Sequence, residues 1–165
     1  MVNYLNVNGA KITVATMDEK DYISLTDMLK AKDGDFFISD WLRNRNTIEF
    51  LGIWEQIHNS NFNYGEFAII KSQAGLNSYK ISVKEWVAKT NAVGLKATAG
   101  RYGGTYAYKD IAFEFGMWEN LNAVFIADGM PQSERLKKLN IIAISQMKLL
   151  TDDHRIIALD EKSQA

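Results

Sequence analysis

Arg43-Asn44-Arg45-Asn46 sets two guanidinium groups beside two carboxamides. In the major groove of duplex DNA a guanidinium can pair bidentately with guanine and a carboxamide with adenine, and either can hold a phosphate. The plainer alternative is a helix junction in which Asn46 caps and both arginines only face solvent. A second group with the same chemistry surrounds Gly100-Arg101-Tyr102-Gly103-Gly104, with Lys96 before it and Lys109 after it. Glycine at those positions lets a hairpin turn tightly. The Gly-Lys-Ser/Thr ending of a phosphate-gripping P-loop is missing from this stretch.

Groups that titrate, attack or bind metal are scarce. Cysteine is absent, which removes thiol nucleophiles and thiolate zinc sites. Of the two histidines, His58 ends an apolar helical stretch with no HExxH pattern, where the helix dipole favours a structural role. Asp152-Asp153-His154 has metal-ligand types, but adjacent residues in a polar run after a helix read as solvated surface. No GxSxG elbow occurs. The expectation is a protein that is not an enzyme and uses no metal or cofactor. A nuclease is the weaker rival, since no carboxylate cluster for metal is visible.

Net charge is −1, but the charges are unevenly spread. Residues 1–40 carry four Lys/Arg against seven Asp/Glu. Residues 41–109 carry nine (Arg43, Arg45, Lys71, Lys80, Lys84, Lys89, Lys96, Arg101, Lys109) against four (Glu49, Glu55, Glu66, Glu85). A local surplus of positive charge is what attraction to phosphate requires, and it is equally what an unevenly charged solvated surface looks like. Nothing in a cysteine-free chain asks for an oxidising compartment, and no apolar run approaches the roughly 20 residues that span a bilayer. A cytoplasmic protein with no membrane contact is expected.

Several elements must position these residues. Leu5 and Val7, then Ile12 and Val14, alternate around Asn8-Gly9, which predicts an N-terminal β-hairpin. Ser24-Leu25-Thr26-Asp27 has capping-box spacing and opens a short helix. Phe37, Ile38, Trp41 and Leu42 share one helical face. Asn46 can cap a further segment in which Ile48, Leu51, Trp54 and Ile57 recur, as one bent helix or two. Phe67–Ile70 and Tyr79–Ile81 read as β-prone pieces around Gly75. Ser82-Val83-Lys84-Glu85 starts a helix that buries Val83, Trp86 and Val87 and stops at Gly94. Leu95–Ala99 and Thr105–Tyr108 flank the glycine-rich tip as a second hairpin, and Ile111, Ala112, Phe115 and Trp118 continue as a buried helix. Pro131 stands at a helix N1 position. Leu136, Leu139, Ala143, Gln146, Met147 and Leu150 then trace a stripe that can pack on the domain or on a second copy of itself. The only candidate boundary is near Asp128-Gly129, giving a domain at 1–128 and a helical tail at 129–165.

A basic hairpin beside a helical element is the plan of a winged helix. Three stretches carry a closer likeness: Ile23-Ser24-Leu25-Thr26-Asp27-Met28; Trp41-Leu42-Arg43-Asn44-Arg45-Asn46-Thr47-Ile48-Glu49-Phe50-Leu51-Gly52; and Gly100-Arg101-Tyr102-Gly103-Gly104-Thr105-Tyr106 with Lys109-Asp110-Ile111-Ala112-Phe113-Glu114-Phe115. In that order, over about Tyr22 to Trp118, they resemble the KilA-N domain. The resemblance implies a DNA-binding module of bacteria, phages and large DNA viruses. It is similar to the APSES domain and has a winged helix-turn-helix variant of α+β class. By position, Arg43–Asn46 would lie in or beside the DNA-contacting helical element and Gly100–Tyr106 would form the wing. Many members have His where Tyr108 stands, so a role tied to that imidazole does not carry over.

The sequence therefore predicts an α+β, winged-helix-like domain with an N-terminal β-hairpin and a C-terminal helical extension. It is expected to bind duplex DNA as a phage, prophage or bacterial regulator, through Arg43, Asn44, Arg45, Asn46, Lys84, Lys96, Arg101, Tyr102 and Lys109. A homodimer through the C-terminal helix is the expected further partner. The rival from another class is an antirepressor-like protein-interaction module that has lost DNA binding.

Overall fold

The first hairpin forms where the alternation predicts it. β1 (Val2–Val7) and β2 (Ala10–Met17) pair antiparallel with Val7 opposite Ala10. The chain therefore reverses within two residues, and Gly9 takes the φ of +85° that such a turn requires. The structure is a computed structural model. It describes residues 2–7, 9–30, 37–101, 103–117, 128–131, 133–135, 137, 138 and 141, without the side chain of Phe37. Trp118, Tyr102, Asp152-Asp153-His154 and the stripe from Leu136 to Leu150 lie outside the described residues.

β2 continues into a strand that the sequence reading did not separate, β3 (Lys20–Ser24). Its turn is built from Asp18 and Glu19 at φ 52° and 62°, left-handed conformations with no glycine to advertise them. β4 (Leu95–Thr98) and β5 (Gly104–Tyr108) form the second hairpin as expected. β5 pairs with β3, so one five-stranded sheet runs β1-β2-β3-β5-β4 and joins both hairpins.

Helices supply the remainder. Where β3 leaves the sheet, the Ser24 hydroxyl accepts from the Asp27 N–H at 3.0 Å and opens α1 (Leu25–Lys30). Only half of a capping box forms, because the Asp27 carboxylate accepts from the Thr13 N–H on β2 instead. α2 (Phe37–Arg43) and α3 (Arg45–His58) are two helices broken at Asn44. Asn44, not Asn46, is the cap: its side-chain oxygen accepts from the Asn46 N–H at 2.9 Å. Ile57 is exposed, so the buried stripe of α3 stops at Trp54 and Glu55.

Phe67–Ile70 is not β. It lies inside α4 (Tyr64–Gln73), which Asn63 caps by accepting from the Glu66 N–H at 3.2 Å. Phe67 and Ile70 are buried at i, i+3, so local β propensity lost to a cap and a helical contact face. Tyr79–Ile81 is an irregular connection. α5 (Val83–Thr90) opens with the full Ser82–Glu85 capping box, and buries Val83 and Trp86 with Val87 half-buried. It ends on Asn91 in the left-handed conformation (φ 55°) rather than at Gly94. Residues 109–117 are helical, as expected.

The core is dominated by aromatic rings. Trp41 meets Phe115 edge-on at 5.1 Å, and Phe62, Phe67 and Trp86 form a cluster between α4 and α5. Gly52 lets α4 approach α3, since a Cβ there would run into the Phe67 ring. Tyr22, Ala15 and Tyr106 pack together from neighbouring strands, with Met17 and Tyr108 beside them.

Contacts divide the chain into two units, Met1–Glu119 and Asn120–Ala165. In the second, the Pro131 carbonyl accepts from the Glu134 and Arg135 N–H groups, each at 3.0 Å. That is the bonding of an N-cap, one position earlier than the N1 expected.

Glu114 makes the first unit's stability sensitive to pH. Burial pushes its carboxyl up to about 7 from 4.5. Between those values the folded chain holds a proton that the unfolded chain has released, so stability falls as pH rises through that window. The loss at pH 8 should reach up to about 3 kcal/mol relative to pH 4.5. Glu114→Gln should flatten that part of the profile, which denaturant unfolding from pH 4.5 to 8 measures.

Candidate nucleic-acid interface

The Arg43–Asn46 segment is held by a turn thirty residues away in sequence. Gly75 donates its N–H to the Arg43 carbonyl at 3.1 Å. The Arg43 guanidinium returns a bond to the Asn77 carbonyl at 3.2 Å. Asn44 is spent on capping α3 through its side-chain oxygen. Arg45 points outward, with its Nε 3.6 Å from Glu49 Oε1, one turn further along α3. Lys71, near the end of α4, brings its Nζ within 3.5 Å of the same oxygen. The fold thus gathers Arg43, Arg45 and Lys71 from three helices around the turn at 74–77, with Glu49 as their nearby acid.

A second locus is the β4–β5 hairpin. Its tip turns with the Gly103 N–H donating to the Gly100 carbonyl at 2.9 Å, and Arg101 is exposed on that turn. The hairpin is fixed at three points, one beside its tip and two at its root. The Thr105 N–H donates to the Thr26 hydroxyl of α1 at 2.9 Å. Tyr22 of β3 donates its hydroxyl proton to the Val93 carbonyl at 2.9 Å.

The third tie is Glu55. Although only 1% exposed, its carboxylate accepts from the Gly94 N–H at 2.7 Å, the Val93 N–H at 2.9 Å and the Asn59 amide at 2.9 Å. Burial raises this carboxyl above its ordinary value, while the Gly94 and Val93 N–H groups and the Asn59 amide pull it back. A buried carboxylate satisfied in this way welds the end of α3 to the root of the hairpin.

The other predicted residues scatter. Lys96 does not project from the tip. Its Nζ sits 2.6 Å from Asp18 and 4.8 Å from the Tyr22 ring centre, and holds the Asp18 carboxyl below its usual range. Lys84 is exposed on the first turn of α5. Lys109 is exposed at the start of the helical stretch 109–117, 6.0 Å from the Tyr108 ring. Asn46 is half-buried in the first turn of α3. Sequence reasoning counted Lys71, Glu49 and Glu55 only as charges of residues 41–109, and did not single them out or bring the Gly75–Asn77 turn to the site. The Gly75-Leu76-Asn77 spacing was the one available sign of a turn, and only the fold puts it against Arg43.

His58 ends α3 as expected. Its ring stacks on Trp54 at 4.2 Å, and its Nδ1 lies 2.8 Å from the Trp54 carbonyl. Among the described residues no group of three His, Cys, Asp or Glu could hold a metal ion, and no helix is long and apolar enough to cross a membrane.

A family model for the KilA-N domain matches residues 5–127, from the first hairpin to beyond the helical stretch 109–117. The chain belongs to the KilA-N domain family. No curated protein and no solved structure matches it. KilA-N is a DNA-binding type of domain, and its α+β character agrees with the sheet and helices described above. The KilA-N match takes in both loci, the helix junction with its turn and the glycine-rich hairpin.

Proposed function

We propose that this protein is a sequence-dependent duplex DNA-binding regulator of phage, prophage or bacterial origin. It reads base edges with the Arg43–Asn46 segment, and holds the duplex with the β4–β5 hairpin as a wing. One observation carries the reading: Arg43 and Arg45, on either side of Asn44, are joined at the surface by Lys71 and a turn from another part of the sequence. A cluster of mobile lysines alone would supply only attraction to phosphate. Guanidinium groups at a helix junction fixed by backbone bonds can also present a base-reading geometry.

Arg101, Tyr102 and Lys109 serve the hairpin side and Lys84 the first turn of α5. Each cation acts through phosphate. Lys96 contributes least, because it must leave Asp18 to reach a phosphate. No cofactor takes part. The C-terminal segment serves as a dimerisation helix.

The overall charge of −1 favours one other reading, a protein-interaction module that no longer binds DNA. An electrophoretic shift with random duplex at about 50 mM salt separates the two, since phosphate-driven binding is strongest at low ionic strength. The DNA reading expects a shifted band that fades as salt rises towards 200 mM. No shift at low salt would leave the interaction module.

A further inference from the structure

Glu49 faces two cations from different helices through one oxygen, Arg45 Nε at 3.6 Å and Lys71 Nζ at 3.5 Å. Both separations exceed the 2.7–2.9 Å of a close charge-assisted hydrogen bond. The Lys96–Asp18 pair at 2.6 Å shows that this fold can close such a gap elsewhere. The cations also stand further out than the acid: their side chains are 59% and 39% exposed, against 27% for Glu49. The carboxylate holds the two positive groups near each other without saturating either.

Their spacing is a property of the fold. Arg45 and Glu49 are one helical turn apart on α3, but Lys71 comes from α4. The bonds from Gly75 to the Arg43 carbonyl and from Arg43 to the Asn77 carbonyl tie the chain just after α4 to the end of α2, next to the start of α3.

We propose that Arg45 and Lys71 form one phosphate site for the backbone of duplex DNA, and that Glu49 occupies it in the free protein as a resident competitor. The inference rests on the DNA-binding reading above; it adds Lys71 and Glu49 to it and gives Arg45 to phosphate, which leaves base reading to Arg43. A phosphate diester offers two anionic oxygens, so it can take both cations at once, and it displaces a carboxylate that binds each of them loosely. Glu49 thereby keeps the site arranged while lowering its attraction for any passing polyanion. Affinity comes to depend on the further contacts that only a well-seated duplex makes.

The test uses the full chain and a 25-base-pair duplex, with affinity measured by fluorescence anisotropy between about 50 and 200 mM salt. Glu49→Gln should bind roughly three- to tenfold more tightly, with the log–log salt slope steeper by up to about one, because no displaced carboxylate then takes up a cation to offset the one released from the phosphate. Lys71→Ala should lose about one unit of slope. The double variant E49Q/K71A should keep less than the full gain of E49Q. Glu19→Gln, the same charge change on the exposed β2–β3 turn, controls for net charge, and far-ultraviolet circular dichroism with thermal melting confirms that each variant is folded.

If E49Q gains no more than E19Q, or K71A leaves the slope unchanged, the paired site is wrong while DNA binding stands. If E49Q fails to fold, Arg45→Gln and Lys71→Gln carry the test, each expected to lose about one unit of slope. A native chain that binds no duplex at the lowest salt would overturn both this inference and the function beneath it.

Discussion

Trp86→Ala should lower the unfolding free energy of the first unit by about 3–5 kcal/mol, the usual cost of emptying a large aromatic site. The indole is 0% exposed and lies within about 6 Å of the Phe62 and Phe67 rings, joining α5 to α4. α5 has eight residues and buries only Val83, Trp86 and Thr90, so the indole is its largest apolar contact. The indole N–H has no hydrogen-bond partner among the described residues. Trp86→Phe removes that donor and keeps much of the ring, so it should cost under about 1.5 kcal/mol. Denaturant midpoints of the two variants measure the difference. An Ala variant within about 1 kcal/mol of native would mean that α5 does not pack through this face.

The largest functional effect should come from Arg43, the guanidinium left for base reading once Arg45 is given to phosphate. Replacing it with Ala should cost about 1–3 kcal/mol on the preferred duplex, roughly a 5- to 150-fold loss, and much less on random DNA. Arg43 has a second duty, because its guanidinium also holds the Asn77 carbonyl. Arg43→Lys keeps a positive charge but not the planar fork, so it should retain general DNA affinity and lose discrimination. Selected and scrambled duplexes, titrated side by side, read the two quantities separately.

Where a local rule and a tertiary contact agree, the sequence was readable. Asn8-Gly9 announced the first hairpin, and Ser82 with Glu85 announced α5, because each motif satisfies its own backbone groups within four residues. Phe67–Ile70 was misread, since a short apolar run looks alike in a strand and in a helix until its neighbours are known. β3 escaped because Asp18 and Glu19 adopt left-handed backbone without a glycine.

At the candidate site, Arg43–Asn46 stands out in the sequence by its residue types, but the cap of α3 is Asn44 and not the expected Asn46. Lys96 was expected at the hairpin by its charge, yet charge alone cannot reveal that Asp18 lies 2.6 Å away across the sheet. Glu55 looked like one more acid on an amphipathic helix. Its partners Val93 and Gly94 are nearly forty residues further along, and only the folded chain brings them together.

The central claim is that one part of this surface reads bases while another holds phosphate. It is tested most directly by the affinities of Arg43→Ala, Arg45→Ala, Lys96→Ala and Arg101→Ala on a selected and a scrambled duplex at several salt concentrations. Arg43→Ala should lose affinity mainly on the selected site, whereas Arg45→Ala should lose its phosphate contact on both duplexes. Arg101→Ala should weaken both duplexes alike and flatten the salt slope by about one, and Lys96→Ala should do so by less because of its bond to Asp18. Unchanged binding in all four variants would remove both the helix junction and the glycine hairpin from the DNA interface.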